Sequence, residues 1–313
     1  MNKALKRVLV TGGAGFIGSH LVDALIEDGC EVVVIDNLST GKRANLEHVK
    51  DKIVFCEGDI RDLDTLKEMA EGCRAIFHQA AVVSVPQTVD DPVESSAIND
   101  MGTLMVLEAA RDQGVKRVVL ASSCAVYGDD PEIPKHEKMI LKPQSPYAVQ
   151  KLTNELHARL YTDLYGVETV CLRYFNVFGP RQDPSSPYSG VISIFMTRAT
   201  ESIPPIIYGD GLQFRDFIFV KDVVRANLLA ASTEGAGGQV FNIGTGRFVR
   251  ISQLWQTIAG LAGVNFPPVF EDRRAGDIVE SVANIQKAGS LLGFEPLYEF
   301  EKGLKHTFEW YHR

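Results

Sequence analysis

The sequence predicts an α/β protein: a Rossmann-type doubly wound parallel sheet with a smaller C-terminal α+β lobe. Three observations carry this. Short β-branched runs alternate with longer amphipathic segments over the first 178 residues. The strand runs are almost uninterruptedly apolar, as strands covered on both faces must be. A glycine-rich turn joins the first strand to the first helix, and such folds keep their ligand crevice at the carboxyl ends of the strands.

In chain order, Arg7–Thr11 reads as a strand, Phe16–Glu27 as a helix and Glu31–Ile35 as a strand. Ile53–Cys56 follows as a strand, Leu63–Ala70 as a helix and Ala75–His78 as a strand. Pro92–Asp112 reads as one long helix, Arg117–Ala121 as a strand, Ser145–Tyr165 as a second long helix and Thr169–Tyr174 as a strand. The pattern loosens after Phe178, where Gly179–Gly190 is rich in Pro and Ser. We therefore expect a dinucleotide-binding unit over 1–178, rejoined by a helix and strand at about 223–245. Residues 179–313 form the expected substrate-binding lobe.

Bulk properties narrow the function. The chain has 313 residues, 45% hydrophobic and 23% charged, enough for a large core in two lobes. Its net charge is −8 and no basic run occurs, which argues against a nucleic-acid partner. No leader and no bilayer-spanning run is read, so no membrane partner is expected. The five cysteines are odd in number and lack a C-x-x-C pair, as expected of reduced thiols in a cytoplasmic protein. The seven histidines show no metal-ligand spacing, so no metal is expected.

Gly12, Gly15 and Gly18 lie between a strand and a helix, with Phe16 and Ile17 opening that helix. Glycines there allow a tight turn and close approach to a pyrophosphate, and the helix N-terminus directs N–H groups at the phosphates. Asp36 ends the second strand at the offset, about 20 residues on, of a ribose-binding carboxylate. It is followed by Asn37 rather than arginine, which favours NAD; Lys42 and Arg43 keep a 2′-phosphate open. Asp59-Ile60 suits an adenine contact, and Gln79-Ala80-Ala81 lets the backbone lie along a cofactor. Ordinary strand-end packing explains either segment equally well. Asn99 is a poor helix former in mid-helix, so its amide is either in use or on a solvated face.

Tyr147 and Lys151 are four apart, on one face of a helix. An ammonium beside a phenol favours the phenolate, so Tyr147 would serve as a base nearer neutral pH. Beside a nicotinamide, such a base lets a sugar alcohol lose a proton and a hydride. Ser122 and Ser123 end the preceding strand; one is expected to bond locally, and Ser123 is the favoured working hydroxyl. The second match, Tyr298 and Lys302, has no cofactor loop nearby and reads as a surface pair.

With these motifs the chain resembles the extended short-chain dehydrogenases/reductases, most closely the UDP-hexose 4-epimerases. The similarity runs essentially end to end. It rests on Thr11–Gly18, Asp36–Gly41, His78–Ala81, Ser122–Gly128, Tyr147–Lys151, Arg173–Gly179, Arg215-Asp-Phe217 and Arg274-Ala-Gly-Asp277. The resemblance implies that Asn176, Arg215, Arg274 and Asp277 hold UDP. Read without it, Arg274 and Asp277 are a surface ion pair. It also implies oxidation of the sugar at C4, rotation of the 4-keto sugar about its diphosphate linkage, and reduction on the opposite face. Lys151 would also hold the nicotinamide ribose.

Dehydratases and decarboxylases of similar scaffold carry an acid after the serine or threonine; this chain has Cys124-Ala125. UDP-glucuronate epimerisation or decarboxylation, and a silent NAD-binding protein, stay as alternatives. Ser281 resembles the position that is small where N-acetyl sugars fit, and Ser84-Val-Pro86 points the same way, toward UDP-GlcNAc and UDP-GalNAc. Read without the resemblance, Ser281 is a surface loop residue. The resemblance also implies a homodimer built on Pro92–Asp112 and Ser145–Tyr165. Met101, Leu104 and Met105 fit such a face or the chain's own core.

Overall fold

The computed structural model describes residues 5–183, 190–272 and 280–312. The large sheet comprises β1 (Arg7–Thr11), β2 (Glu31–Asp36), β3 (Ile53–Glu57), β4 (Ala75–His78), β5 (Arg117–Ser123), β6 (Glu168–Tyr174) and β7 (Gln239–Ile243). All seven are parallel, in the order β7-β6-β5-β4-β1-β2-β3. The chain builds outward from β1 in one direction through β3, then returns to β4 and builds the other way. The crevice between β1 and β4 is therefore the switch point where such sheets bind ligands.

Burial explains why the strands read as apolar runs. Val8, Leu9, Val10, Val32, Val33 and Val34 are inaccessible to solvent, and each such side chain contributes about 1.5–3 kcal/mol. On one face, α1 (Phe16–Glu27) supplies Leu21, Val22 and Leu25, beside Val223, Ala226 and Ala230. The opposite face receives Leu66 and Ala70 of α2 (Leu63–Ala70) and Val106, Leu107 and Ala110 of α3 (Gly102–Asp112). It also receives Ala158 and Tyr161 of α4 (Pro146–Tyr165). The helix α5 (Val220–Ser232), which carries Val223 to Ala230, leads into β7. Among the described residues no helix is long and apolar enough to cross a membrane.

Three local features differ from the sequence reading. Arg43–Lys52 forms 3-10 turns, and Val85–Asp90 is a short helix capped by Ser84, with Pro86 in its first turn. The segment read as one helix from Pro92 is α-helical to Ser96, makes a π turn over Ala97–Met101, and continues as α3. Its dihedrals stay helical at both joints, so hydrophobic periodicity carries little trace of the widened turn.

Beyond Phe178, small sheets surround a third core of Phe178, Phe195, Met196, Phe217, Trp255 and Leu304. Asn176–Phe178 pairs with Phe217–Phe219. Phe214–Arg215 lies between Val249–Arg250 and Glu280–Ser281. That sheet carries Arg215 and Ser281 toward the end of β5.

Candidate active site

The glycine loop closes tightly on itself and on the β4 end. Gly12 has φ +68°, and a Cβ there would lie 2.7 Å from Ala80 N. A Cβ on Gly18 would lie 2.1 Å from Gly12 O. No side chain caps the first turn of α1, which Gly15, Phe16 and Ile17 begin. Its N–H groups therefore face the crevice in the arrangement that holds phosphates.

Asp36 is buried at the end of β2. One carboxylate oxygen accepts from Ala14 N at 2.9 Å and the other from Leu38 N at 2.8 Å. Burial raises its pKa, against those two N–H groups. Asn37 Nδ2 donates to Asp59 at 3.2 Å, and Asp59 is forked by Arg61 at 2.9 Å. The Arg61 hydrogen bonds pull the Asp59 carboxyl down to about 2. Ile60 is buried against Gly102. Both cations that would suit a 2′-phosphate are paired: Lys42 with Asp183 at 2.7 Å and Arg43 with Glu57 at 2.6 Å.

The segment after β4 is braced from beneath. His78 sits buried between the hydroxyls of Thr11 (2.7 Å) and Thr103 (2.9 Å). Gln79 reaches Tyr174 and Asn227, and Ala80 N donates to Thr11. Ala81 is partly buried beside it. Asn99, in the π turn, accepts from Val82 N (2.8 Å) and donates to Val82 O (2.9 Å) and Gln150 (2.7 Å). Its amide thus clamps the loop that follows Ala81.

Tyr147 faces the Ser123 hydroxyl, which accepts from Ala125 N at 3.2 Å. Lys151 is buried and donates to Ala121 O at 2.9 Å; its Nζ lies 5.8 Å from the Tyr147 ring centroid. Burial lowers the Lys151 ammonium to about 8 and raises the Tyr147 phenol to about 12, with only the Ser123 hydroxyl acting downward on it. The expectation that the lysine draws the phenol toward neutrality is therefore not met in the protein by itself. Desolvation wins because the ammonium is aimed at a carbonyl. Ser122 turns the other way and donates to Glu155 at 2.5 Å.

On the substrate side, Asn176 Nδ2 donates to Asp216 O at 3.1 Å. Arg215 and Ser281 are paired in register. Buried Ser281 meets the Cys124 thiol, with Arg215 close by. It is thus a buried strand residue rather than a surface loop residue. Ser84 is buried, and its hydroxyl accepts from Gln87 N at 3.1 Å. Arg274 and Asp277 lie outside the described residues. Tyr298 and Lys302 also place an ammonium 5.7 Å from a ring centroid, but Lys302 is exposed and Tyr298 packs at a tilt against Phe219.

Sequence reasoning passed over two carboxylates. Asp216 is buried and accepts from Thr245 N, Thr245 Oγ1, Gly246 N and Ala283 N at 2.7–3.1 Å. Its place inside Arg215-Asp-Phe217 was the available signal. Glu155 receives Ser122 and a two-pronged contact from Arg173 at 2.7 and 2.8 Å. The signal there was its position, four residues after Lys151 on the same face.

The uncapped helix, the glycine cradle and the paired Lys42 and Arg43 all fit NAD. A dinucleotide crevice with a Tyr-Lys-Ser group at its mouth defines a nucleotide-cofactor enzyme acting on an alcohol. The chain belongs to the NAD dependent epimerase/dehydratase family, whose pattern matches residues 8–244. It is 41% identical over 309 residues to a UDP-glucose 4-epimerase of Mycolicibacterium smegmatis, covering 97% of this chain and 98% of that one. The crystal structure of a Thermotoga maritima UDP-glucose 4-epimerase with UDP-glucose superposes with a TM-score of 0.93 at 39% identity, covering 98% of each chain. A UDP-N-acetylglucosamine 4-epimerase from Methanobrevibacter ruminantium, in complex with UDP-N-acetylmuramic acid, gives 0.94 at 40% identity and the same coverage.

Proposed function

We propose that the protein catalyses NAD-dependent 4-epimerisation of UDP-hexoses: UDP-glucose with UDP-galactose, and UDP-GlcNAc with UDP-GalNAc. The observation that carries this is Tyr147 facing Ser123 at the end of β5, with Lys151 on the same helix face and no carboxylate at Cys124 or Ala125. Dehydration needs a further acid/base group after the serine; epimerisation needs only one proton moved out and back.

Gly12, Gly15, Phe16, Ile17 and Gly18 would hold the pyrophosphate of NAD, and Asp36 and Asn37 its adenosine ribose. Asp59 and Ile60 would flank the adenine, and Gln79, Ala80 and Ala81 would line its path, with Asn99 fixing that segment. When bound, NAD supplies reversible hydride acceptance at the sugar's C4. Tyr147, ionised to its phenolate, would take the 4-hydroxyl proton through Ser123 and return it after the sugar has turned over. Lys151, hydrogen-bonded to Ala121 O, keeps a cation beside that proton path and would also meet the nicotinamide ribose. Asn176, Arg215, Arg274 and Asp277 would hold the UDP while the hexose rotates; an arginine clamp suits a diphosphate. Ser281 and Ser84, both small, leave room for a 2-acetamido group.

In this reading residues 1–178, with 223–245, carry NAD, and 179–313 carry the nucleotide sugar. We also propose a cytoplasmic homodimer. The five free thiols suit a reducing compartment, and α4 presents an exposed apolar face. The test is incubation of the purified protein with each UDP-hexose in turn, without added cofactor, followed by NMR. A 4-epimer pair of unchanged mass is expected. A pentose product, or no turnover with any UDP-hexose after NAD is supplied, overturns the reading.

A further inference from the structure

Three successive turns of one helix face are stitched to three consecutive residues of β5. Tyr147 faces Ser123, Lys151 donates to Ala121 O, and Glu155 accepts from Ser122 Oγ. The spacing of four keeps all three side chains on the same side of α4. Side chains alternate along a strand, so Ser122 and Ser123 point to opposite faces. Fixing Ser122 to α4 therefore fixes the pleat that aims Ser123 into the crevice.

Glu155 also grips the other flank of Ser123. Arg173, held by both Glu155 oxygens, donates to the Tyr127 hydroxyl at 2.8 Å, and Tyr127 donates to Asn242 at 2.7 Å. Tyr127 ends the 3-10 turn Cys124–Tyr127, whose cap is Ser123. Ser122, Glu155, Arg173 and Tyr127 are all more than nine-tenths buried. None of them takes part in the proton path described above.

We infer that Glu155 is a positioning residue: through Ser122 on one side and Arg173–Tyr127 on the other, it holds the Ser123 hydroxyl on Tyr147. This rests on the proposed epimerase reaction for its meaning, but not for its geometry. Lys151 faces Tyr147 from its own helix, and Ser123 and Cys124 face it from the end of β5.

The informative variant is Ser122→Ala. It removes one tether and leaves the buried Glu155–Arg173 ion pair whole, whereas replacing Glu155 would strand Arg173 and threaten folding. The expected result is a fall in kcat of about tenfold or more, the scale of a small misplacement at a reacting group. KM for UDP-glucose and the NAD content should stay at wild-type values. Ser122→Thr, which keeps the hydroxyl, should restore the rate. A crystal structure of Ser122→Ala should show the Ser123 hydroxyl displaced away from Tyr147 relative to a wild-type crystal. An unchanged kcat, or an unchanged Ser123–Tyr147 contact in that crystal, overturns the inference. Should the wild-type protein turn over no UDP-hexose, the epimerase reading falls, and the crystal comparison still decides the positioning claim.

Discussion

Lys151 Nζ donates to the carbonyl oxygen of Ala121 at 2.9 Å, and this bond aims the ammonium along the strand end rather than at the phenol it accompanies. Burial brings that ammonium down to about 8. The cation is present below pH 8 and is lost as the pH rises through it, because the folded-state value is the depressed one. Turnover should therefore decline above about pH 8 in a kcat/KM profile of the wild type. Lys151→Met should be slower at every pH and lack that alkaline limb. A limb that persists in the methionine variant would assign it to another group.

Tyr147 and Tyr298 share sequence spacing and ring-to-ammonium distance, and differ only in what surrounds them. Tyr147→Phe should lower kcat by about 10²–10⁴-fold, the usual worth of a placed acid/base group. Tyr298→Phe should keep the wild-type rate, since its ring contact with Phe219 survives. Steady-state kinetics on both variants check this, with circular dichroism as the control for folding. Equal losses in the two would sink the assignment of Tyr147.

The same comparison shows what was legible in the sequence. The central sheet could be read because burial on both faces forces apolar runs, and the crevice because only glycine tolerates the Gly12–Ala80 approach. Tyr298 could be set aside by its neighbourhood alone. The register of Glu155 on the Lys151 face could be read, but its partner could not: Arg173 comes from a strand 18 residues on, and nothing local reports that contact. The four donors around Asp216 come from two other loops, so its burial was equally silent. Asn99 looked anomalous for a reason that only the π turn and Val82 explain.

Asp216 ties three segments together. Removing its carboxylate leaves the N–H groups of Thr245, Gly246 and Ala283 without that acceptor. At about 1–3 kcal/mol for each buried donor left unsatisfied, Asp216→Ala should lose about 3 kcal/mol or more. Urea unfolding measures this as a lower midpoint at unchanged slope. KM for the UDP-sugar should rise as well, because Arg215 sits on the segment that Asp216 anchors to Thr245, Gly246 and Ala283. A midpoint equal to the wild type would show that water replaces the carboxylate without cost.

His78 is buried and held neutral, its pKa lowered to about 3 chiefly by desolvation. In the unfolded chain it titrates near 6.5. Between these values the unfolded chain binds the extra proton, so stability rises with pH and falls on acidification. Going from pH 7 to pH 5 should cost about 2 kcal/mol from this group alone. His78→Gln should be less stable at pH 7 and show a smaller loss between the two pH values. Parallel pH profiles for wild type and variant would place the acid sensitivity elsewhere.

Val149, Leu156, Leu160 and Leu164 lie along α4, each half exposed or more, and Met101 and Val93 are exposed on the segment leading into α3. Leu104 and Met105 are partly buried and turn inward onto the chain's own core, so the apolar stripe on that segment divides between core and surface. Spacing of seven and then four residues keeps the α4 leucines on one face, and exposed apolar patches of this kind mark association surfaces. If that face joins two copies, a charge at its centre must be buried unpaired on association, which is strongly unfavourable. Leu156→Glu with Leu160→Glu should therefore yield a monomer by light scattering, against a wild-type particle of twice the chain mass. The substituted side chains point away from Tyr147 and the crevice, so the monomer should still bind NAD. A wild-type protein that is monomeric at every concentration tested would remove the dimer and leave this face without a partner.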